Sequence, residues 1–585
     1  MWDCPNKNAN LNFNWQNDVS VSILEIKNTN WNQESTNKPS FRLSLFGADG
    51  SCNIGNLYVE KNAALITQDS SFNDTVSITN INILSGGIFI LADSGGSSTF
   101  YCQGNIIVSD SGYFGTSSSF SQSTILFSRT GETKYYVPST NLINASNLNY
   151  HIKSGTILMT GSSVFTGVGY FAVDSGATLE ISQPGGIDST IKVTGLKTLM
   201  NGSNYIFSGT EPQVTGVLLP DTIGSITIID TAGVMLSHNV CVKELVELQR
   251  GTLSSGGNAL SYSVNGSLRF SDISPQITTD TEFPLINGPK NLEIANPKGV
   301  TLHESRTISG DLSLSGKLII GDYSLTTNTT SRPDYQIPSS AYVVTNGIGM
   351  LKQKTEISSK IYPIGTSKAY AAVYITNRGT VDTVGVSVMN DSSEAIGGGR
   401  VMVKWRISEN TPGDGNYTFR FTWMTSLESS LFKTNRSVYA RIFRLSDTTE
   451  LGTIGLIRQL STEPFSISNI KGGNTVLDSF AVGAFRKITT VEEPEGIPTE
   501  FCMKQNYPNP FNPSTTISFD LPEKSFVTLK IFDLLGREVA ALASEIFSAG
   551  RYSRQWNASN IATGIYFYRL QAGSFTQTKK LILLR

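Results

Sequence analysis

The chain has 585 residues, with 45 Lys and Arg against 47 Asp and Glu, a net charge of −2 and a charged fraction of 16%. That fraction is well under the roughly 25% of ordinary soluble domains, and the balance excludes a nucleic-acid binder that works through a global basic field. Hydrophobic residues at 39% and aromatics at 10% suffice for packed cores and exclude wholesale disorder, while 53 Gly among abundant Ser, Thr and Asn favour strands and turns and exclude long helical bundles.

The chain opens Met1, Trp2, Asp3, Cys4, without the charged start and apolar run of a secretory signal. An exported protein with this start is one whose signal has been removed or lies outside the sequence. No stretch approaches the ~18 uninterrupted apolar residues of a transmembrane helix, so no transmembrane segment is expected. Residues 1–50, with Trp2, Trp15 and Trp31, are less repetitive than the residues after them and are expected to form an N-terminal cap, because the ends of repeat arrays need covering.

From 51 to 335 one theme recurs: an alternating apolar strand, a small turn with Gly or Asn, then another alternating strand. Instances are VEKNAALIT (59–67), ILSGGIFIL (83–91), IKSGTILMT (152–160), VDSGATLEI (173–181) and LSLSGKLII (312–320). The turn markers Asn62, Gly86 and Gly112 are 24 and 26 residues apart, and Gly155 and Gly176 are 21 apart. Periods of this size signal a solenoid, in which each turn pairs its strands with the turns on either side. A longer repeat agrees: Gly233 maps onto Gly299 and Gly251 onto Gly316, offsets of 66 and 65, about three turns. A series of antiparallel sandwiches would also suit alternating strands and Gly turns; the period decides for a parallel β-solenoid. Gly at its corners supplies φ > 0 or close chain approach, with Val, Leu and Ile filling the lumen.

Between 336 and 487 the strands lengthen and gain aromatics, at 371–375, 384–389, 401–407, 417–423 and 438–445, which reads as an antiparallel β-sandwich. The stretch from Tyr362 to Trp423 resembles a module that follows repetitive β segments in secreted proteins of Bacteroidetes-type bacteria. The run TTVEEPEGIPTEF makes 488–503 an exposed linker. Beyond it, YPNPFNPSTTISFDLP (507–522) forces a turn-rich start, and VTLKIFDLLGREV, AGRYSRQWNAS, GIYFYRLQAG and TKKLILLR alternate with Gly turns in a compact sandwich over 504–585.

This order of motifs is similar to the type A C-terminal sorting domain of the type IX secretion system. The resemblance implies a small immunoglobulin-like sandwich, recognised by the outer-membrane secretion machinery and removed by a sortase-like protease that attaches the cargo to surface lipopolysaccharide. Carried over by motif, the sorting-signal positions are Tyr507, Pro508, Asn509, Pro510, Phe511, Asn512, Pro513, Gly536, Gly564, Lys579, Lys580 and Arg585. The expected location is the cell surface or the extracellular space. The residues add a charge asymmetry: 503–585 holds ten Lys and Arg against five Asp and Glu, net +5, which leaves −7 for the rest of a chain that totals −2. A basic tag is a handle for a receptor; Lys579 and Lys580 also guard a terminal edge strand against aggregation.

Candidate chemistry is sparse. Parallel β-helices include polysaccharide lyases and hydrolases that gather acids on one face, but Asp93, Asp110 and Asp174 each precede Ser at an expected turn and read as turn caps. His238 and His303 lie 65 apart, at equivalent points of the long repeat, and no nucleophile motif accompanies them. The five cysteines show no CxxC spacing, PGDGN and GADGS lack a calcium-loop pattern, and no metal or cofactor is expected. Cys52 and Cys102 are 50 apart, about two turns, so roughly 10 Å separates equivalent positions and no disulfide joins them; Cys4 with Cys52 stays open. Trp405 and Trp423 could form a stacking platform for sugars, although alternating strands more often bury such rings. The reading is therefore a non-enzymatic structural or adhesive surface protein. A polysaccharide-active β-helix enzyme and a self-assembling filament or sheath subunit are the alternatives.

Overall fold

The computed structural model describes residues 97–116, 122–137, 147–331, 340–391, 399–411, 415–446, 463–468, 477–484 and 500–584, with short segments elsewhere, chiefly the strands between residues 2 and 93. It divides into two compact units, 1–485 and 486–585.

In the first unit, alternation of apolar and polar residues makes strands whose inward side chains fill a lumen and whose edges stack in parallel. Ile26 lies beside Val59, Val59 beside Ile83 and Ile83 beside Val108. Further along, Val173 sits between Ile152 and Leu199, and Leu179 between Leu158 and Tyr205. These neighbours are one turn apart in sequence, as a parallel solenoid requires, and antiparallel pairing of adjacent strands does not occur among the described residues of this region. The coil has about eleven turns.

Two side-chain columns fix its register. Inside, Phe127, Tyr135, Phe165, Tyr150 and Phe171 pack with ring centroids 4.8 to 6.0 Å apart, close to the strand spacing. Outside, the Asn80 amide donates to Asn56 Oδ1 at 2.8 Å, and Asn80 Oδ1 in turn accepts the Asn105 backbone N–H at 2.9 Å. The Gly corners divide as expected: Gly86, Gly155 and Gly176 have φ of 79°, 81° and 75°, whereas Gly112 is required by space, since a Cβ there would lie 2.9 Å from Val108 Cγ1.

Both ends of the solenoid differ from the sequence reading. The strand Trp2–Asp3 pairs in parallel with Ile26–Lys27, and Asn10–Asn14 pairs in parallel with 42–46. The described part of 1–50 is thus coil, not a separate cap, because Asn-rich strands that alternate with apolar residues have the same pleat as their neighbours. At the other end, Val343–Val344 and Ile364–Gly365 continue the stack, so the coil passes the expected limit at 335. The strand Leu351–Thr355 pairs in parallel with Leu325–Thr327 on one flank and antiparallel with Asp382–Asn390 on the other. Coil and sandwich share this strand. Thr345 fastens the junction, exchanging hydrogen bonds with Val388 N and O at 2.7 and 3.0 Å.

The sandwich packs one antiparallel set, Asp382–Asn390, Val403–Glu409, Ser479–Ala484 and Ala440–Arg444, against a second, Lys360–Tyr362, Val373–Asn377, Tyr417–Trp423, Phe465–Ser468 and Ile457–Gln459. Its last expected strand starts at Ala440, because the preceding Ser430–Tyr439 is a helix.

The second unit is a two-sheet antiparallel sandwich. Cys502–Met503, Ser514–Leu521 and Gly550–Asn557 form one sheet; Glu538–Phe547, Ser525–Phe532, Gly564–Ala572 and Phe575–Leu583 form the other, in that order. Its core of Met503, Phe519, Leu529, Trp556, Tyr568 and Leu581 is its own. Met503 is buried there and Phe501 stacks on Phe575 with centroids 5.4 Å apart, so the domain begins by 501 and the linker expected over 488–503 is shorter than drawn. Most of that linker lies outside the described residues.

Candidate functional site

Of the sorting-signal positions, Asn509 and Phe511 lie against the terminal strand Phe575–Leu583, which carries Lys579 and Lys580, whereas Gly536 lies in the turn at the opposite edge of that sheet. Three proline peptide bonds, at Tyr507–Pro508, Asn509–Pro510 and Asn512–Pro513, are cis. Proline supplies no N–H, and the donors and acceptors that remain clamp the terminal strand Phe575–Leu583. Phe511 N–H donates to Ile582 O at 3.0 Å, and Leu584 N–H donates to Phe511 O at 3.0 Å. Asn509 Oδ1 accepts Ile582 N–H at 2.9 Å. Phe511 is buried, its ring 5.5 Å from that of Trp556. Tyr507 exchanges backbone hydrogen bonds with Thr516, while its side chain is 82% exposed. Within YPNPFNP, then, Asn509 and Phe511 brace the strand, and Tyr507 is presented outward.

Gly536 has φ 77° in the turn 533–537, where nothing would meet a Cβ. Its need is conformational: Asp533 Oδ1 accepts the Leu535 and Arg537 N–H groups at 2.9 Å each, and those bonds, with the Arg537 guanidinium, hold the Asp533 carboxyl below its usual range. Gly564 shows neither a positive φ nor a close contact, so its backbone does not explain the motif's glycine. Lys580 is exposed and Lys579 half-exposed on the edge strand, and Arg585 lies outside the described residues. Sequence reasoning missed the residues that hold the proline segment. Asn506, buried, donates from Nδ2 to Thr515 Oγ1 at 2.9 Å and from its backbone to the Tyr568 hydroxyl, which donates on to Lys504 O at 2.8 Å. Asn506 and Tyr568 are 62 residues apart, and no local pattern could have joined them.

On the coil, each of the three histidines faces an Asp of a neighbouring segment. His151 Nε2 lies 2.7 Å from Asp174 Oδ1, with Lys153 Nζ 3.4 Å from the other oxygen. Burial raises the Asp174 carboxyl, but the His151 hydrogen bond and the Lys153 ammonium outweigh it and hold it below its ordinary value. Asp174 is therefore a cross-coil ion-pair partner; the turn cap expected for it is supplied by backbone atoms. Asp110 is exposed in its turn, and the Asp93 side chain lies outside the described residues. His238 approaches Asp221 at 3.5 Å and His303 approaches Asp280 at 3.1 Å.

Around His303 the arrangement looks chemical in outline. His303 Nδ1 is 2.6 Å from Thr278 Oγ1, Nε2 faces Asp280, and Asp280, His303 and Glu304 bring their ligand atoms within 4.8 Å of one another. Two features redirect it. Thr278 is 1% exposed and its oxygen also accepts the His303 backbone N–H at 3.0 Å, so no substrate carbonyl could reach it. Buried Arg306 fills the cation position, donating to Asp280, to Glu304 at 3.0 Å and to Phe283 O at 2.7 Å. With the His303 hydrogen bond, it keeps the Asp280 carboxyl low. Arg269 similarly bridges Glu247 and Glu293 on the turns either side, at 3.5 Å each. Trp405 and Trp423 are core residues that donate to Ala371 O and Glu428 Oε1 at 2.8 Å, so neither offers a sugar platform. Cys102 is a free buried thiol, consistent with no bond to Cys52; Cys4 lies outside the described residues. Most of PGDGN and all of GADGS lie outside them as well.

Residues 505–584 match a family described as the secretion system C-terminal sorting domain. No curated protein and no solved structure matches the chain. The match covers the unit that carries the motif residues, and no helix among the described residues is long and apolar enough to cross a membrane. The chain is thus a cargo of the type IX secretion system, a parallel β-solenoid body carrying a C-terminal sorting domain that directs it to the cell surface or the extracellular space.

Proposed function

We propose that the exported body is a non-enzymatic structural or adhesive element, delivered by a sorting domain that a sortase-like protease removes and exchanges for surface lipopolysaccharide. One observation supports the non-enzymatic reading: among the described residues, the cations of the coil's polar clusters already have carboxylate partners on adjacent segments. Arg306, Arg269 and Lys153 are engaged by carboxylates of adjacent segments, and Thr278 is buried behind its histidine. A glycan-cleaving site needs an acid and a base that can reach the substrate. The removal step is supported by the acidic, proline-containing stretch before 500 and by the independent core after it. Self-assembly of the body is a further use that open coil edges would permit.

Two measurements test this. Deleting 500–585 should leave a folded body in the periplasm; surface delivery of the truncated chain would sink the sorting role. Incubation of the full chain with acidic and neutral polysaccharides should release no fragments. Depolymerisation abolished by single Asp→Asn changes on one coil face would replace the structural reading with an enzymatic one.

A further inference from the structure

We propose that the outward face of the four-stranded sheet in the sorting domain, centred on Phe532, Phe567 and Arg569, docks onto an acidic protein surface of the secretion machinery. The inference rests on the sorting assignment and adds which surface is read and by what chemistry. The strands alternate strictly: Val527, Leu529 and Ile531, with Tyr568 and Leu570, face the core. Their intervening neighbours Phe526, Thr528, Lys530, Phe532, Ile565, Phe567 and Arg569 face out. Register then sets these side chains in rows. Phe532 lies beside Phe567 and Phe567 beside Lys580; Lys530 lies beside Arg569; Ile565 lies beside Ile582; and Phe526 lies beside Ile546. Phe526 and Ile546 are 56% and 64% exposed. Single exposed apolar residues are ordinary, but apolar rows in register on one face mark an interaction surface.

The charges point the same way. Arg569 lies with its guanidinium carbon 5.1 Å from the Phe532 ring centroid and donates from Nε to Thr578 at 3.1 Å. Among the described residues, neither Arg569 nor Lys580 has a carboxylate within ion-pair distance. On the opposite sheet Lys504 and Arg551 share the carboxylate of Asp520 at 3.7 and 3.9 Å, and Arg554 reaches across to Glu545 at 2.9 Å. The outward face thus carries Lys530, Arg569 and Lys580 against one carboxylate, Glu538, which lies beside Phe532 and engages Lys530 at 2.8 Å, so a surplus of positive charge stands beside the rings. Aromatic rings beside a guanidinium are the residue types that dominate interface energetics, and unpaired cations select an anionic partner.

The test uses the full-length chain in its secreting cell. R569E with K580E should cut the surface-delivered fraction tenfold or more and leave a folded, normally melting chain in the periplasm. K524E with R551E, the same charge change off this face, should alter delivery less than twofold. If the first pair fails to fold, R569Q and F526S replace it, with the same loss expected. Equal losses from both pairs, or none from the first, would overturn the proposal. So would purified wild-type chain binding anionic-lipid vesicles, or self-associating, in a manner that R569E with K580E abolishes, because the occupant would then be a membrane or a second copy. Deletion of 500–585 separates the two claims: normal delivery of the deletion refutes sorting itself, whereas a blocked deletion beside a normally delivered double variant refutes only the face.

Discussion

Gly251→Ala tests the packing of the coil at a crowded corner. Gly251 has φ 67°, and a Cβ there would lie 1.9 Å from Asp230 O on the preceding turn. Gly257 is the control, with φ 87° and nothing within 4 Å of the added atom. At Gly257 an alanine meets only the left-handed backbone penalty, about 1 kcal/mol. At Gly251 the same penalty applies, and in addition the Asp230 carbonyl must retreat by about 1.5 Å to reach ordinary contact. That carbonyl accepts Gly233 N–H at 3.3 Å, and Val234 N–H donates to Thr252 O at 2.9 Å beside it. Losing both bonds costs about 1 kcal/mol each, for a total near 3 kcal/mol. At about 1.4 kcal/mol per factor of ten, local opening should rise about a hundredfold for Gly251→Ala and about fivefold for Gly257→Ala. Hydrogen exchange of peptides spanning 228–254 reads this directly, and the effect should fade within a turn or two because coils touch only their neighbours. Equal exchange in the two variants would refute the collision.

Cys102 is buried, which pushes its thiol up to about 12 while it donates to Gly104 O at 3.1 Å; alkylation at pH 8 followed by peptide mapping should label exposed Cys502 and spare Cys102 until the coil unfolds. Burial raises the Glu282 carboxyl to about 7 against the opposing Thr279 hydrogen bonds. Its folded value thus exceeds its unfolded value, so its contribution is complete below about 4.5 and fades as pH rises through about 7, on the order of 3 kcal/mol in all. Melting between pH 5 and 9 should show this decline in the wild type and a flatter profile in Glu282→Gln; parallel profiles would exclude Glu282 as the titrating group. A deletion from 504 should be less soluble than one from 500, because it strands Phe501 and Met503 without their core partners. Indistinguishable solubility would return the domain boundary to 504.

The coil was legible because its rule is local. The long repeat proved equivalent in role: Gly233 and Gly299 share φ 92°, and the preceding Asp230 and Asn296 accept Ala232 and Lys298 N–H groups at 2.8 and 2.7 Å. Asp174 was misread because its partner His151 is 23 residues away, a distance set by coil length and not by local pattern. The shared strand Leu351–Thr355 was missed for a related reason: alternation makes a strand but does not specify the direction of its neighbour. The sorting motif was readable as a run of residues, whereas its division into bracing and displayed side chains depends on contacts with the last strand.

That shared strand also gives the molecule a direction of growth. With a parallel neighbour on one flank and an antiparallel one on the other, it works as a terminator: a turn inserted after it would meet hydrogen-bonding groups spaced for the opposite polarity. Whole turns can be gained or lost where the interfaces between described turns repeat the same parallel pattern, up to the last such pairing, of Val343–Val344 with Ile364–Gly365. Reach is therefore the quantity open to variation in this architecture, lengthening by one strand spacing per added turn while the sandwich that shares the strand is unchanged.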